Sequence, residues 1–282
     1  MPALTPEDRA LLEARLPPLQ QVRLSRGDVI EYREAGQGAR AVVLLHGIGS
    51  SSAGYRAPLA GLSADCRLIA WNAPGFGGST PLAAASPDVH DYAQALHGLL
   101  DALAVPAVHL VGSSWGTLIA NAYAARHPER VRSLALSAPT RGYGDLDAAE
   151  KARRIAARLD PAARTAPPAT RAARFLGPDT DELVIRRFGQ LQEAVHAEGL
   201  AQATRMLFDC DGIALAASVT RPALVLAGSD DGIAPPREHA LPLCEAMPDA
   251  SLAMLDGCGH ILKLEAPVRF NRHLADFFQL HT

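Results

Sequence analysis

Short apolar runs alternate along the chain with longer segments in which apolar residues recur at helical spacing. The runs predict seven β-strands, at 29–35, 41–46, 67–72, 107–113, 131–138, 223–229 and 250–256, and the longer segments predict helices near 88–104, 116–127, 237–247 and 266–280. Runs such as "AVVLLH" are apolar at almost every position, which is typical of strands covered on both faces. The alternation predicts an α/β fold, with a mostly parallel central sheet and helices on both faces.

The segment from 145 to 218 breaks this alternation. It contains no convincing strand and is rich in Ala, Arg, Asp and Glu, so we predict several helices inserted between the strands that end near 138 and begin near 223. We therefore divide the chain into an α/β core, residues 1–144 and 219–282, and a helical cap, residues 145–218. Acidic and basic residues nearly balance within the cap, which argues against an electrostatic binding surface there.

Composition excludes several classes of protein. The 282 residues carry a formal net charge of −3, without the strong charge bias of a nucleic-acid-binding surface. No apolar stretch reaches the ~18 residues of a membrane span. The first residues, "MPALTPEDRALLEARL", predict a short helix with Thr5 as N-cap and Pro6 at its first position, not a signal peptide. The four cysteines form no CxxC pair, so we expect free, buried thiols in a soluble, cytoplasmic protein with no nucleic-acid or membrane partner.

The stretch "VGSSWGTLIA", residues 111–120, contains the candidate nucleophile. A strand-like run precedes its two serines and a helix-like run follows them. A nucleophile on a tight strand-to-helix turn needs neighbours without a Cβ two residues to either side, because a Cβ there would collide with adjoining backbone. Gly112 and Gly116 occupy those two places around Ser114, so the spacing predicts Ser114, and not Ser113, as the nucleophile.

A serine hydroxyl needs a base, and the base needs an acid that orients it. Among the histidines, His46 and His260 are singled out because they lie on loops at strand ends. His46 belongs to a glycine turn, which leaves His260, in "LDGCGHILKLEAP", as the predicted base. Asp230 and Asp231 both follow the strand at 223–229, and either is placed to supply the acid.

Attack on a carbonyl also needs donors for the oxyanion. We predict that one is the backbone N–H of Trp115, the residue after the nucleophile, and that the other is the N–H of Ile48 in "LLHGIGSSS". The glycines of that loop do not form GxGxxG, and no acidic residue ends a strand about twenty residues on, so the loop is not a dinucleotide site. We expect neither a cofactor nor a metal.

Four motifs in order give the chain its resemblance to the α/β-hydrolase-fold family: "HGIG" (46–49), "NAPGFGGS" (72–79), "GSSWG" (112–116) and "GSDDGIAPP" to "GCGH" (228–260). The resemblance covers nearly the full length and implies that family's fold with a helical cap insertion. The family's spacing between a strand-end glycine and a later proline places the acid on Asp231. Asn72 stands where many relatives have Asp, and we expect this to affect loop geometry and not chemistry.

Within the family, "TRGYGDLD" and "DCDGIALAASVTRPALVLAG" are similar to 3-oxoadipate enol-lactonases, and the chain also resembles meta-cleavage-product hydrolases. The latter often have Asn before the nucleophile, where this chain has Ser113. We therefore predict a serine hydrolase that cleaves a small carboxylic ester or enol lactone through an acyl-enzyme.

Two alternatives remain open: C–C bond hydrolysis on the same triad, and a ligand-binding receptor on a hydrolase fold. C–C hydrolysis would need a carboxylate anchor near the cap entry, for which the candidates are Arg141, Arg153, Arg154 and Arg158. For each of these arginines, a solvated position on a helix face is the competing interpretation.

Overall fold

The computed structural model describes residues 3–161, 168–191 and 196–281. Its eight strands are β1 (Leu19–Arg23), β2 (Val29–Ala35), β3 (Arg40–Leu45), β4 (Cys66–Trp71), β5 (Val108–Ser113), β6 (Val131–Ser137), β7 (Ala223–Gly228) and β8 (Ala250–Leu255). The described helices are α1 (Pro6–Glu13), α2 (Arg56–Gly61), α3 (Val89–Ala102), α4 (Trp115–Arg126), α5 (Ala148–Leu159), α6 (Pro168–Phe175), α7 (Glu182–Leu191), α8 (Ala197–Asp209), α9 (Gly212–Ala217), α10 (Ala240–Ala246), α11 (Leu262–Glu265) and α12 (Pro267–Leu280).

The strands form one sheet in the order β1-β2-β4-β3-β5-β6-β7-β8. Strand β2 is antiparallel to both β1 and β4, and all the other neighbours are parallel. The seven predicted strands are all present. Strand β1 was not predicted, because it lies at the sheet edge with four of its five residues exposed and therefore shows no apolar pattern.

Two apolar cores cover the two faces of the sheet. In β3, Val43 and Leu45 belong to the first core, whereas Val42 and Leu44 belong to the second. Helices α3, α4 and α10 contribute to the first core and α2 and α12 to the second. Since β3 buries side chains on both faces, its sequence is apolar from Ala41 to Leu45, and the predicted α/β architecture is confirmed.

Helices α5 to α9 connect β6 to β7, and the described residues between these two strands form no strand. Helix α5 packs on α8, whereas α9 packs on α4 and α10. Helices α6 and α7 join α1 and α11 in a third apolar cluster, which includes Leu12, Phe188 and Leu264. Residues 162–167 and 192–195 of the predicted cap lie outside the described residues.

Two smaller expectations are also resolved. In α1, the side chain of Thr5 accepts a hydrogen bond from the N–H of Asp8, and Pro6 is the first helical residue. The predicted N-cap residue, Thr5, is therefore confirmed. All four cysteines are free; Cys244 is half-buried and the other three are buried. No described helix combines the length and the apolarity needed to span a membrane.

Candidate active site

The backbone turns sharply at Ser114, between the end of β5 and the start of α4. Ser114 has φ +52° and ψ −119°, a backbone conformation that residues other than glycine rarely adopt. Its N–H donates to the carbonyl oxygen of Ser137 in β6, at 2.9 Å. Backbone strain of this kind costs of order 1–3 kcal/mol and is concentrated at functional sites, so its presence supports a functional assignment for Ser114.

The glycines beside this turn leave no room for a side chain. A Cβ on Gly112 would lie 2.7 Å from the Cα of Thr117, and a Cβ on Gly116 would lie 2.7 Å from the carbonyl oxygen of His46. Real Cβ atoms essentially never approach other atoms so closely. The steric reason for predicting glycine at both positions is therefore confirmed.

His260 and Asp231 are brought together from two loops at the carboxyl edge of the sheet. The Nδ1 atom of His260 lies 2.7 Å from Oδ2 of Asp231, and the two side chains are 4% and 1% exposed. The other carboxylate oxygen, Oδ1, accepts from the N–H groups of Ile233 and Ala234. Because an ionised carboxylate only accepts, Nδ1 carries the proton, and Nε2 is left to accept one. Asp230 is exposed and its carboxylate makes no described contact with His260.

A buried carboxylate that the sequence did not single out fixes the loop of His260. Glu265 accepts three backbone N–H bonds at 2.7–2.9 Å, from Gly177, Gly259 and Ile261. These bonds tie the two residues that flank His260 to the end of α6. Burial raises the pKa of Glu265, and the three amide donors oppose that shift by stabilising the anion.

His46 is a structural residue of the first glycine loop. Its Nδ1 lies 2.9 Å from the carbonyl oxygen of Gly47, and its Nε2 accepts from the N–H of Ala73. Burial lowers the pKa of His46 to about 4, so the ring is neutral near pH 7. The assignment of His46 to a turn, and not to proton transfer, agrees with these contacts.

The two predicted oxyanion donors flank the nucleophile turn. A Cβ on Gly47 would lie 3.1 Å from the Cβ of Ser114, so the loop that carries Ile48 packs directly on the turn. Trp115 is the first residue of α4, where backbone N–H groups have no acceptor within the helix. No acceptor for the N–H of Ile48 or Trp115 occurs among the hydrogen bonds of the described chain. Both donors therefore remain open to a ligand oxygen.

Asn72 holds the neighbouring loop through contacts that an aspartate would not reproduce. Its amide Nδ2 donates to the carboxylate of Glu31, and its Oδ1 accepts from the N–H of Ser52. An aspartate at this position would place a second carboxylate against that of Glu31. The expected effect of Asn72 on loop geometry is consistent with these bonds.

A small cavity opens onto the candidate residues. Its volume is about 40 Å³, and Ser114 and His260 both line it. Apolar side chains from α6 and α7, namely Phe175, Phe188 and Leu191, form part of its wall. No group of three or more His, Cys, Asp and Glu side chains suited to a metal ion occurs in the part of the chain described.

Of the four candidate arginine anchors, Arg158 lines this cavity. Burial lowers the pKa of its guanidinium, and its Nε has no hydrogen-bond partner within the described parts of the chain. Arg141 pairs with an acid four residues further on, and Arg153 and Arg154 both pair with Glu150 on the exposed face of α5. For these three arginines the competing interpretation fits better, because each is a partly solvated charge on a loop or a helix face.

Lys263 is a second cation in the cavity, and it is not among the residues predicted from the sequence. Its Nζ donates to Oγ of Ser113 at 2.8 Å and lies 4.9 Å from the centre of the Tyr55 ring. Lys263 is only 2% exposed, and burial lowers its pKa to about 8. The available signal was two charged residues, Lys263 and Glu265, within the otherwise mostly apolar stretch "HILKLEAP", which is too short to place either of them on a cavity wall.

Comparison with known proteins agrees with this geometry. A family model described as alpha/beta hydrolase fold matches residues 40–267. The chain is 30% identical to a 2-hydroxy-6-oxononadienedioate/2-hydroxy-6-oxononatrienedioate hydrolase of Dechloromonas aromatica, over 91% of this chain and 93% of the relative. It is also 30% identical to a 2-hydroxy-6-oxo-6-phenylhexa-2,4-dienoate hydrolase of Burkholderia cepacia, over 88% of this chain and 90% of the relative.

Among solved structures, the enol-lactonase of Burkholderia xenovorans LB400 superposes with a TM-score of 0.81, covering 92% of this chain and all of that one, at 23% identity. At that identity the likeness concerns the fold alone. The family match and the two hydrolase relatives carry the assignment: the chain belongs to the α/β-hydrolase family and is a hydrolytic enzyme.

Proposed function

We propose that the protein is a serine hydrolase in which Ser114 is the nucleophile, His260 the base and Asp231 the acid that orients it. The observation that carries the proposal is the strained turn at Ser114, which shares one cavity with a histidine whose Nδ1 is held by a buried carboxylate. The N–H groups of Ile48 and Trp115 are the proposed oxyanion donors. The same three roles recur in serine hydrolases of several unrelated folds.

The reaction proceeds in two halves. The Ser114 hydroxyl adds to the carbonyl carbon while its proton passes to Nε2 of His260, and the oxyanion is bound by the two backbone donors. Collapse of the tetrahedral intermediate breaks the bond to the leaving group, which takes the proton from His260. Water then attacks the acyl-enzyme with His260 again as base, which releases the acid and restores the Ser114 hydroxyl.

We propose that the segment of helices α5 to α8 acts as a cap over this site. Arg158 from α5, Phe175 from α6 and Phe188 from α7 line the cavity together with Ser114. Small-molecule sites usually occupy about 300–1,000 Å³. A cavity of about 40 Å³ is too small for such a ligand, so the residues that line it must rearrange before a substrate binds.

The substrate class that best fits the site is a small keto acid cleaved at a C–C bond. The name of the Burkholderia cepacia relative describes a compound with a hydroxyl, a ketone and a carboxylate but no ester, so its hydrolysis breaks carbon from carbon. Moving a proton from the 2-hydroxyl to C5 gives a 2-oxo compound. Attack of Ser114 on the 6-oxo carbonyl then breaks the C5–C6 bond, and the electron pair is delocalised to the 2-oxygen as a dienolate that is protonated in turn.

A carboxylic ester or enol lactone is the second candidate, and the position before the nucleophile favours it. Ser113 stands where meta-cleavage-product hydrolases often have Asn. The leaving group of an enol ester is a stabilised enolate. The triad therefore suffices for hydrolysis, without a separate proton transfer to carbon. Both candidates use the same three side chains.

Two measurements test these proposals. A fluorophosphonate followed by peptide mass analysis is expected to label Ser114; a label on Ser113 would contradict the nucleophile assignment. The Ser114→Ala variant should fold normally and lose turnover, whereas Ser113→Ala should still be labelled.

Values of kcat/KM for a dienoate ketone, a p-nitrophenyl ester and an enol lactone then decide the substrate class. A preference of about tenfold, roughly 1.4 kcal/mol, for either the ketone or the lactone selects that candidate.

A further inference from the structure

Lys263 is a buried cation for which the described residues provide no buried anion. It lies in the short helix α11, and none of the ion pairs formed by described residues includes it. The nearest acid in sequence, Glu265, makes no described ion pair with Lys263, and its carboxylate is engaged by three backbone N–H groups. An ammonium group kept from water without an opposite charge is costly unless a ligand supplies one.

The hydrogen bonds of the ammonium group are incomplete. Protonated lysine has three N–H donors, and the described acceptor is the single hydroxyl of Ser113. The centre of the Tyr55 ring lies 4.9 Å from Nζ, and the face of the ring attracts the positive charge. This ring face is not a conventional hydrogen-bond acceptor. Since Lys263 lines the cavity that holds Ser114 and His260, its remaining donors are within reach of a bound substrate.

A second unpaired polar group lies on the same wall. The Oγ atom of Ser50 is buried and has no hydrogen-bond partner among the residues that the structure describes, and Ser50 also lines the cavity. A Cβ on Gly54 would lie 2.7 Å from this Oγ and 3.5 Å from Cε of Lys263, so both side chains approach Gly54. An ammonium and a hydroxyl on the same cavity wall supply one donor for each of the two oxygens of a carboxylate.

We propose that Lys263 and Ser50 bind a carboxylate of the substrate, and that Ser113 holds the ammonium group in position for it. This cation therefore selects substrates that carry an anion beyond the carbonyl attacked by Ser114. The inference rests on the proposed function, since it assumes that Ser114 attacks in this cavity. It also gives a role to Ser113, which the reaction itself does not use.

The test compares two esters that differ in one charge. Mono-p-nitrophenyl glutarate carries a free carboxylate, and p-nitrophenyl pentanoate has a methyl group in its place. After subtraction of spontaneous hydrolysis, the wild-type kcat/KM should favour the glutarate ester. Lys263→Met should lower that preference by about tenfold or more, the usual effect of losing a charged hydrogen bond, mainly through KM for the glutarate ester.

The control is matched in residue type, because the chain has just two lysines, Lys151 and Lys263. Lys151→Met removes the same charge from a position in α5 that does not line the cavity and should leave the preference within about twofold of wild type, as partly exposed charges contribute little. Equal losses on both esters with Lys263→Met would overturn the proposal in favour of a structural role. If neither ester shows Ser114-dependent turnover, the proposed function fails instead.

A pH profile keeps the proposal testable if Lys263→Met does not fold. The titratable side chains that surround the amine are those of His46, Tyr55, Arg158, His260 and Glu265. With a pKa of about 8, Lys263 is a cation below that pH and neutral above it, so the preference for the glutarate ester should fall as the pH rises through 8. His260 has the same proposed role with both esters, so an effect of pH on the chemical step that they share cancels in their ratio. Lys263→Arg, which stays charged, should keep its preference above pH 8; loss of preference at the same pH in that variant would overturn the assignment.

Discussion

The carboxylate of Asp231 lies 2.7 Å from Nδ1 of His260, whereas the adjacent Asp230 is exposed to solvent. Two neighbouring acids therefore differ completely in environment. Two backbone amides, of Ile233 and Ala234, fix the second oxygen of Asp231, so the carboxylate is held in one orientation. A buried acceptor in a fixed orientation is what keeps the imidazole proton on Nδ1 and Nε2 free for the serine hydroxyl.

This relationship predicts unequal effects for the two acids. Asp231→Asn should lower kcat for p-nitrophenyl acetate by about 10⁴, because an amide in this position favours the wrong histidine tautomer. Asp230→Asn is the matched control and should change kcat by less than about twofold, since an exposed carboxylate makes no contact in the site. Equal losses in the two variants would show that the assignment of Asp231 is wrong.

The turn at Ser114 predicts a stability effect at Gly116. In Gly116→Ala the new methyl group would collide with the carbonyl oxygens of Leu45 and His46, which belong to backbone that cannot move independently. Overpacking of this kind costs about 1–3 kcal/mol in the free energy of unfolding, and displacement of the turn should reduce kcat as well.

The control for this variant is Gly189→Ala in α7. A Cβ there meets nothing within 4 Å, so the substitution should be neutral or stabilise by about 0.5–1 kcal/mol, as expected for alanine in a helix. Urea denaturation of both variants measures the difference. If Gly116→Ala is as stable as wild type, the close packing that explains the glycine is incorrect.

Arg158 is expected to differ from the other arginines of its helix. Arg158→Met removes a guanidinium that lines the cavity and should lower kcat/KM for mono-p-nitrophenyl glutarate by about tenfold. Arg153→Met, on the exposed face of the same helix, should have little effect, because its pair with Glu150 is solvated. Steady-state kinetics of both variants measure the difference, with circular dichroism to verify folding. Equal values of kcat/KM for the two variants would rule out a binding role for Arg158.

The sequence predicts the parts of this molecule that depend on local pattern. Strands buried on both faces, such as β3 and β7, show continuous apolar runs. The glycine spacing around Ser114 is also predictable, because the strand-to-helix nucleophile turn recurs with that spacing, although Gly116 itself packs on the distant backbone of Leu45 and His46. Strand β1 escaped prediction because its side chains face solvent at the sheet edge.

The parts that were missed depend on contacts between distant segments. Lys263 reaches Ser113 across 150 residues, and Glu265 reaches Gly177 across 88. Neither residue has a distinctive local spacing, and the four-residue helix that carries both is too short to show helical periodicity. Burial of a charge, which gives each of them its importance, is a property of the folded chain and not of the sequence around it.

Glu265 is expected to govern the stability of the loop that carries His260. Each of its two carboxylate oxygens accepts from backbone N–H groups, of Ile261 on one side and of Gly177 and Gly259 on the other. Glu265→Gln replaces one acceptor oxygen with an NH₂ group, so a donor would then face a donor within a buried site. Leaving a buried amide unpaired costs about 1–3 kcal/mol, and the free energy of unfolding should fall by that amount.

The same substitution should also affect catalysis, because the loosened loop would hold His260 less often in the orientation that Asp231 requires. We expect kcat for p-nitrophenyl acetate to fall while KM changes little, since Glu265 is not among the residues that line the cavity. Glu198→Gln, an exposed position at the start of α8, makes the same chemical change without these bonds and should alter neither quantity. Hydrogen exchange of the amides of Gly259 and Ile261 gives the decisive measurement: faster exchange at these two positions in Glu265→Gln, and not in Glu198→Gln, is the expected result, and unchanged exchange would mean that Glu265 does not hold the loop.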